Sequence, residues 1–417
     1  MPIDISIRTA RRFILGRQGL WPGRRWRGLD GAADAIRTMG ELQLDPLVLV
    51  ARAQDLMLHS RVIDYPADGW ATLTYEQRQF FDWGGWLAIR PIEELPHWRV
   101  LMRRERTKPH WQQVVADHGP AINEMREVLR ERGTVGNRDF TSSSRTRIDS
   151  YRGRKDSALA LHYLWRIGEA VVARRERFER VYAPTEAIVP PGLLRESSDA
   201  EADDFLLSKM ISNQGLARLN AVSLSLLREV SATELTGWRE SKLTTGALIE
   251  VRVEGWRATQ LAPGGSEAIL GELEAGRAPA DWAPLAETTD EEATFLAPLD
   301  PVSARGRAKP LFGFDYTWEI YTPAVKRRYG PWTMPILWGD QLVGRFDSLL
   351  DRRTGTLVVN GLWLEDEALA ADEAFADALV AGMRRLLHFL ATGRIDVAAV
   401  NQRALRKRLA STAKRTR

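Results

Sequence analysis

The chain has 417 residues, 44% apolar and 27% charged, a globular composition too long for one hydrophobic core, so several structural units are expected. It contains no cysteine, which removes disulfides, thiolate metal sites, iron–sulfur clusters and cysteine nucleophiles together; carboxylates, amides, hydroxyls and six histidines remain for chemistry, and neither a metal nor another cofactor is expected. The net charge is only +4, but the 59 Lys and Arg side chains lean heavily to Arg and occur in clusters, a pattern that suits forked contacts to phosphate and equally suits a GC-rich genome.

Residues 1–12 bring Arg8, Arg11 and Arg12 without the apolar stretch of a signal peptide. No uncharged run approaches the roughly 18 residues of a membrane span. A cytoplasmic protein with no membrane contact is therefore expected. Apolar residues at three- and four-residue steps predict helices over 5–15 and 30–42, the second with Asp30 as N-cap. Between them, Trp21-Pro22-Gly23 with Arg24, Arg25 and Arg27 predicts an exposed basic turn, suited to DNA backbone or simply solvated. After Pro46, residues 47–61 read as an amphipathic helix. Residues 74–86 read as another, with Tyr75, Phe80, Phe81, Trp83 and Trp86 on an aromatic side that is mainly core.

Helices are predicted over 121–132 and 157–168, separated by a polar, Ser-rich stretch at 140–154. Strands follow at 170–173 and 178–182, turning at Arg174-Arg175-Glu176-Arg177. Helix, short helix, helix and hairpin is the order of a winged helix with the hairpin as wing. Past Pro190-Pro191-Gly192 the layout repeats, with helices at 202–214, 217–229 and 237–244 and a strand at 247–254. Beyond Gly255, short β-type runs at 258–261, 294–296, 334–338, 341–347 and 356–364 predict a small barrel, with Gly339-Asp340 as a tight hairpin turn. A long amphipathic helix is predicted over 369–390. Residues 403–417, basic and without an acidic residue, read as a mobile tail that adds salt-sensitive affinity for a polyanion.

Common catalytic signatures are missing: no P-loop, no His-Glu-x-x-His helix and no convincing nucleophile elbow. What remains is Glu41-Leu42-Gln43-Leu44-Asp45-Pro46, where proline ends a helix and pushes the residue before it into an extended conformation. In an extended segment Gln43 and Asp45 project to one side, and an amide beside a carboxylate suits orienting a water and stabilising positive charge on a sugar. An ordinary helix end followed by an Asp-Pro turn fits the same residues. A second cluster, Leu311-Phe312-Gly313-Phe314-Asp315-Tyr316 through Trp318, Tyr321 and Lys326-Arg327-Arg328-Tyr329-Gly330, interleaves aromatics with adjacent cations. That composition suits a nucleic-acid surface, and it also suits the packing of a β-domain.

Together these segments resemble the AlkZ and YcaQ (AlkX) family of winged-helix DNA glycosylases, in the family's order along nearly the whole chain. The resemblance runs through Leu42-Gln43-Leu44-Asp45-Pro46, Arg52-Ala53-Gln54-Asp55, Ser60-Arg61, Val172-Ala173-Arg174-Arg175 and Arg180-Val181-Tyr182. It continues through Pro298-Leu299-Asp300-Pro301, Phe312-Gly313-Phe314-Asp315-Tyr316, Lys326-Arg327-Arg328-Tyr329-Gly330 and Leu342-Val343-Gly344-Arg345. It implies an α+β fold of about three tandem winged helices and a C-terminal β-barrel, forming a C-shaped DNA-binding surface. The corresponding units are 1–118, 119–192 and 193–256 for the winged helices, 257–366 for the barrel, and 367–417 for a helix and basic tail. Gln43 and Asp45 place the chain with the Gln-x-Asp branch that resembles YcaQ.

The resemblance further implies a monofunctional glycosylase acting on N7-alkylguanine in double-stranded DNA, with interstrand crosslinks among the branch's substrates, working as a monomer in a bacterial cytoplasm. Gln43 and Asp45 are the catalytic candidates. Arg61, Arg174, Arg175, Lys326, Arg327, Arg328 and Tyr329 are the DNA-binding candidates, and Trp83, Trp86, Tyr316 and Trp332 the candidates for the lesion pocket. Two departures stand out: Trp83-Gly84-Gly85-Trp86 where many relatives carry a histidine after a tryptophan, and Pro331-Trp332 where a second tyrosine often follows the basic motif. Such changes would suit a subtype tuned to one bulky adduct, as in antibiotic self-resistance. A winged-helix transcriptional regulator, or an architectural DNA-bending protein, would share the fold without the chemistry.

Overall fold

The computed structural model describes residues 1–85, 87–140, 156–219 and 226–412. The fold is mixed α+β, and the chain's first residues join its middle. Ile3–Ile5 pairs in parallel with Leu248–Val253, whose other edge takes Gln260–Pro263 antiparallel. The helix Ile7–Arg17 follows, with the Ser6 hydroxyl accepting the Thr9 N–H at its start. Its buried face, Ala10, Phe13, Ile14 and Leu15, shares one core with Val251, Leu270, Trp282, Leu296 and Leu311. Residues 3–15 are therefore packed mainly with segments from 216 onward, while Gly16, Gln18 and Gly19 also meet Arg25, Arg61 and Trp26.

That next helix, Gly28–Met39, ends at Gly40 in the left-handed region with φ +81°. The positive φ favours glycine there, and a β-carbon would also force aside the Asn213 side-chain amide, 2.0 Å from its position. The chain then enters the short strand Leu42–Gln43, which pairs with Ala88–Pro91. Phe80–Asp82 pairs on the other side of that strand. Residues 80–82 are thus strand, not the helix expected over 74–86. Arg78, with φ +56°, ends the irregular turn at Thr72–Glu76 and redirects the chain so that Phe80 and Phe81 are both buried. The expected helix over 47–61 is likewise reduced to Ala53–His59, because partners elsewhere in the fold claim the backbone of 47–50.

In the middle of the chain, the helix Pro109–Arg132, kinked at His118, packs with Asp156–Arg166. The hairpin Ala170–Glu176 and Glu179–Pro184 lies beside them, with Val135–Gly136 as its third strand. The Ser-rich stretch at 140–154 lies outside the described residues, except for Phe140. Downstream, Asp199–Gln214 and Ala232–Thr244 are helices. Of the helix expected over 217–229, residues 220–225 lie outside the described residues, and Ala217 instead forms an antiparallel bridge with Leu261.

The C-terminal β-region is an open five-stranded sheet rather than a closed barrel. Its order is Thr294–Phe295, Thr333–Trp338, Gln341–Asp351, Thr356–Leu364 and Arg394–Asp396, and the two outer strands do not meet. Closing it would require those edges to pair. The turn at Gly339-Asp340 joins Trp338 to Gln341 as expected. The helix Glu373–Phe389 packs on the sheet, its Phe375 against Trp338. The tail is ordered further than expected: Arg403–Ala410 is helical and buries Leu405 and Leu409. Residues 413–417 lie outside the described residues. No helix among the described residues is long and apolar enough to cross a membrane.

Candidate active site

The segment carrying Gln43 and Asp45 is gripped from several sides. Gln43 is the last residue of its strand and pairs with Ala88, and the Leu44 N–H reaches the Leu87 carbonyl at 2.6 Å. The buried Gln54 side chain accepts the Asp45 N–H at 2.9 Å, and Arg52 donates to the Pro46 carbonyl at 3.0 Å. From the C-terminal sheet, the Leu350 N–H bonds to the Leu49 carbonyl at 2.9 Å, and Arg352 donates to the Val50 carbonyl at 2.9 Å. Hydrogen bonds from opposite ends of the sequence thus pre-organise this turn, as a catalytic constellation requires.

Gln43 is half-buried and lines a cavity of about 350 Å³ with Met39, Met57, Met210, Leu299 and Arg305. Its Oε1 accepts a hydrogen bond from the Arg305 guanidinium at 2.7 Å. A guanidinium only donates, so the amide orientation is set and Nε2, the donor, faces away from Arg305. Asp45 does not follow the simple alternation expected of an extended strand. It lies outside the walls of that cavity, and its Oδ1 turns back to accept the Leu47 N–H at 2.8 Å. That is the Asp-Pro turn geometry that the sequence left open.

The second oxygen of Asp45 has no hydrogen-bond partner among the described residues. The side chain is nevertheless only 7% exposed, and burial pushes its pKa up, against the Leu47 N–H bond and the Arg52 charge, which pull it down. The other buried aspartates have more partners: Asp300 is ion-paired, Asp82 takes Arg175 and Tyr75 on one oxygen while its other oxygen is unpartnered, Asp203 binds two arginines, Asp55 accepts from Tyr65 and the Asp68 N–H, and Asp347 accepts from Asn360 and the Trp332 N–H. Asp45 is thus a largely buried carboxylate whose only hydrogen bond among the described residues comes from its own turn, and its second oxygen is not sealed from solvent, so it stays available to a water or a substrate.

Arg305 owes its place to Arg61. Arg61 is fully buried and meets Asp300 through two bonds of 2.7 and 3.0 Å, while its remaining donors reach the Gln18 and Met57 carbonyls. It is therefore not a phosphate contact: every exposed approach is closed, and its charge is spent inside the protein. Its work is to clamp the segment 298–307, which presents Arg305 to Gln43 and lays Arg307 into the same cavity. Burial pushes the Arg307 pKa down to about 10. Arg305, Asp300 and Gln54 were missed as site residues by sequence reasoning. The Pro298-Leu299-Asp300-Pro301 motif was the available signal, but no local pattern says that its aspartate meets Arg61.

Other candidates separate in the same way. Arg175, near the turn of its hairpin, is buried against Asp82 and Tyr75, so it too is structural. Arg174, on the same strand, keeps about half its side chain in solvent beside Glu176. Trp83 is a core residue whose indole N–H reaches the Trp165 carbonyl at 3.1 Å. Tyr316 is buried with its hydroxyl on the Thr333 carbonyl at 2.8 Å, and Trp332 is fully buried. None of these three lines a described cavity: Trp83 packs against Trp98 and Arg166, while Tyr316 and Trp332 fill the space beneath the 312–330 segment. Trp86 lies outside the described residues. The expected basic turn is mostly inward as well: Arg24 pairs with Glu292, Arg25 packs on Trp26 and Trp282, and Arg27 remains at the surface with Asp64.

The aromatic and basic segment at 312–330 mixes both roles. Arg345 stacks between Phe314 and Tyr329, with its charge over rings at 3.9 and 4.4 Å. The Glu319 carboxylate accepts three consecutive backbone N–H bonds, from Arg328, Tyr329 and Gly330, at 2.8 to 2.9 Å. Burial opposes the charge on Glu319, yet those bonds win and hold its pKa below the ordinary glutamate range. Arg327 folds back onto the Thr322 and Ile320 carbonyls, and Tyr329 is half-buried against Trp363. Lys326 and Arg328 are exposed. Among the described residues no three His, Asp or Glu side chains converge as a metal site would need.

Comparison with known proteins agrees with this architecture. A family model described as AlkZ-like DNA glycosylase matches residues 36–389. The solved structure of the Streptomyces sahachiroi DNA glycosylase AlkZ is similar in fold, with a TM-score of 0.60 at 15% identity, over 96% of this chain and 100% of that one.

Proposed function

This chain belongs to the AlkZ-like DNA glycosylase family and is an enzyme that hydrolyses N-glycosyl bonds in DNA; we propose that its substrate is N7-alkylguanine in duplex DNA, with Gln43 and Asp45 as its catalytic pair in the Gln-x-Asp branch. The observation that carries the catalytic assignment is the Asp45 carboxylate, largely buried and, among the described residues, without an ion pair and with one oxygen unbonded.

Alkylation at N7 makes guanine a cationic base that leaves readily. The demand on the protein is then to stabilise the oxocarbenium-like sugar and to deliver water. Asp45 meets the first as a negative charge held in place and the second as general base, through the oxygen not engaged by Leu47. Gln43, its oxygen engaged by Arg305, offers Nε2 as a donor to the water or the sugar. No lysine stands within 42–52 or among the cavity walls. Water is thus the nucleophile, and the product is an abasic site in an uncut strand. Arg174, Lys326 and Arg328 supply phosphate contacts from exposed positions. Trp332, at one of the two departures, is a core side chain, and the cavity walls rather than that tryptophan are where adduct selectivity is set.

The test is incubation of the wild type and of Asp45→Asn with duplexes carrying one N7-methylguanine or one N7-linked nitrogen-mustard crosslink, followed by mild alkali to cut at abasic sites. Wild-type release from N7-methylguanine, slowed about 10²- to 10⁴-fold by the substitution, is the expected result. Equal rates for the two proteins would remove Asp45 from the mechanism, and release of a different alkylated base alone would move the substrate away from N7-guanine. The crosslink lane reads whether two tethered bases are accommodated.

A further inference from the structure

Two large side chains on the loop 319–330 stand mostly in solvent, although one edge of the Tyr321 ring meets Trp318 at 5.7 Å between centroids. Tyr321 is 81% and Val325 93% exposed, the highest values among the large apolar side chains of the described residues apart from Met1. They stand four positions apart on two successive short turns, Glu319–Tyr321 and Ala324–Lys326. Isolated exposed apolar residues are ordinary, but a floppy loop would fold such a pair down onto the surface.

This loop does not do so because it is braced from beneath. Glu319 holds three backbone N–H groups at its far end, and Arg327 ties back to the Ile320 and Thr322 carbonyls. The Trp318 indole N–H bonds to the Pro331 carbonyl at 3.0 Å. Gly330, with φ +139°, closes the loop where a β-carbon would lie 2.3 Å from the Asp347 carboxyl carbon, and Asp347 itself holds the Trp332 N–H. The apolar pair is thus presented on a rigid base, with Lys326 and Arg328 exposed alongside. Glu319, the one acidic residue of the loop, has its charge engaged inward.

We infer that Tyr321 and Val325 form a wedge that enters the base stack of duplex DNA while Lys326 and Arg328 hold the flanking phosphates. The partner follows from the combination: cations beside the pair select a polyanion, and a preordered apolar tip suits the space between base pairs, where an inserted side chain unstacks one step and bends the duplex. A protein partner would leave the two exposed cations to be desolvated at the rim of an apolar contact. The inference rests on DNA as the substrate and not on Asp45 or on the identity of the lesion.

The measurement is the fluorescence of undamaged duplexes carrying one 2-aminopurine, a base that brightens when unstacked, placed at successive positions and titrated with the full chain. Wild type is expected to brighten the probe at one or two positions at saturation. The double variant Tyr321→Ala, Val325→Ala is expected to bind about tenfold more weakly and to leave the probe dark even at saturation. Lys326→Ser with Arg328→Ser is expected to weaken binding and flatten its salt dependence by up to about two phosphate contacts, while keeping the brightening at saturation. All four side chains are exposed, and unchanged melting temperatures check that the variants are folded. No brightening by wild type, or equal brightening by the Tyr321 and Val325 variant, overturns the wedge. Because no base is released in this assay, its outcome is separate from that of the Asp45 test.

Discussion

The Gln43 turn and the 319–330 loop draw on the same kinds of residue, amides, carboxylates, arginines and aromatics, but the fold uses them in opposite ways. Around Gln43 the polar groups face a cavity, and the bracing comes from far along the chain: Arg61 and Asp300, Arg352 and Leu350. In the 319–330 loop most of the bracing is local, and the charges of Glu319 and Arg327 are consumed in fixing backbone so that an apolar tip stands in solvent. An arginine or a carboxylate in a motif therefore says little about whether it meets substrate or scaffold. The partner it finds in three dimensions decides.

The largest effect that would sharpen this contrast is on the remote brace. Arg61→Ala leaves Asp300 buried and unpaired, and is expected to cost about 3–5 kcal/mol of stability, read as a lowered denaturant midpoint. If Arg61 were instead a DNA contact, stability would hold and only affinity would fall. Glu319→Ala removes the acceptor of three backbone N–H bonds. It is expected to cost about 2 kcal/mol and to bring protease cleavage within 319–330, with base release from N7-methylguanine largely retained.

Arg305→Ala frees the Gln43 amide to flip. Single-turnover base release is expected to slow about 10- to 100-fold with little change in melting temperature; an unchanged rate would mean that the amide needs no orienting. The acid limb of the rate profile is expected at higher pH than for an ordinary aspartate, because burial raises the Asp45 pKa and the mechanism needs the carboxylate. As pH falls the group is protonated early and activity goes with it, and an acid limb at the ordinary aspartate position would assign it to another group. The smallest effect is at the exposed end of the scale: Arg174→Ala should lower the slope of log affinity against log salt by about 0.9, one phosphate contact, and leave base release at saturation unchanged.

The sequence by itself carried the helices at 121–132 and 157–166 with the hairpin that follows them, the turn at Gly339-Asp340, the sheet strands 333–364 and the family motifs, because each rests on periodicity or turn chemistry within a few residues. It singled out Gln43 and Asp45, but could not say that one faces a cavity while the other caps its own turn. It assigned Arg61, Arg175, Trp83, Tyr316 and Trp332 to DNA or lesion, since composition alone cannot separate an exposed arginine from one buried against an aspartate far along the chain.

Tertiary structure alone decided these matters. The strand at 80–82 arose where a helical pattern was expected, because a neighbouring strand took up its hydrogen bonds. Residues 1–21 were drawn into the core of 248–314. Arg305, which no local motif marks, was brought to Gln43 by a buried ion pair between positions 61 and 300. Local chemistry is written in neighbouring residues. Which charge is neutralised, and by what, is settled only when distant segments exclude water from the same place.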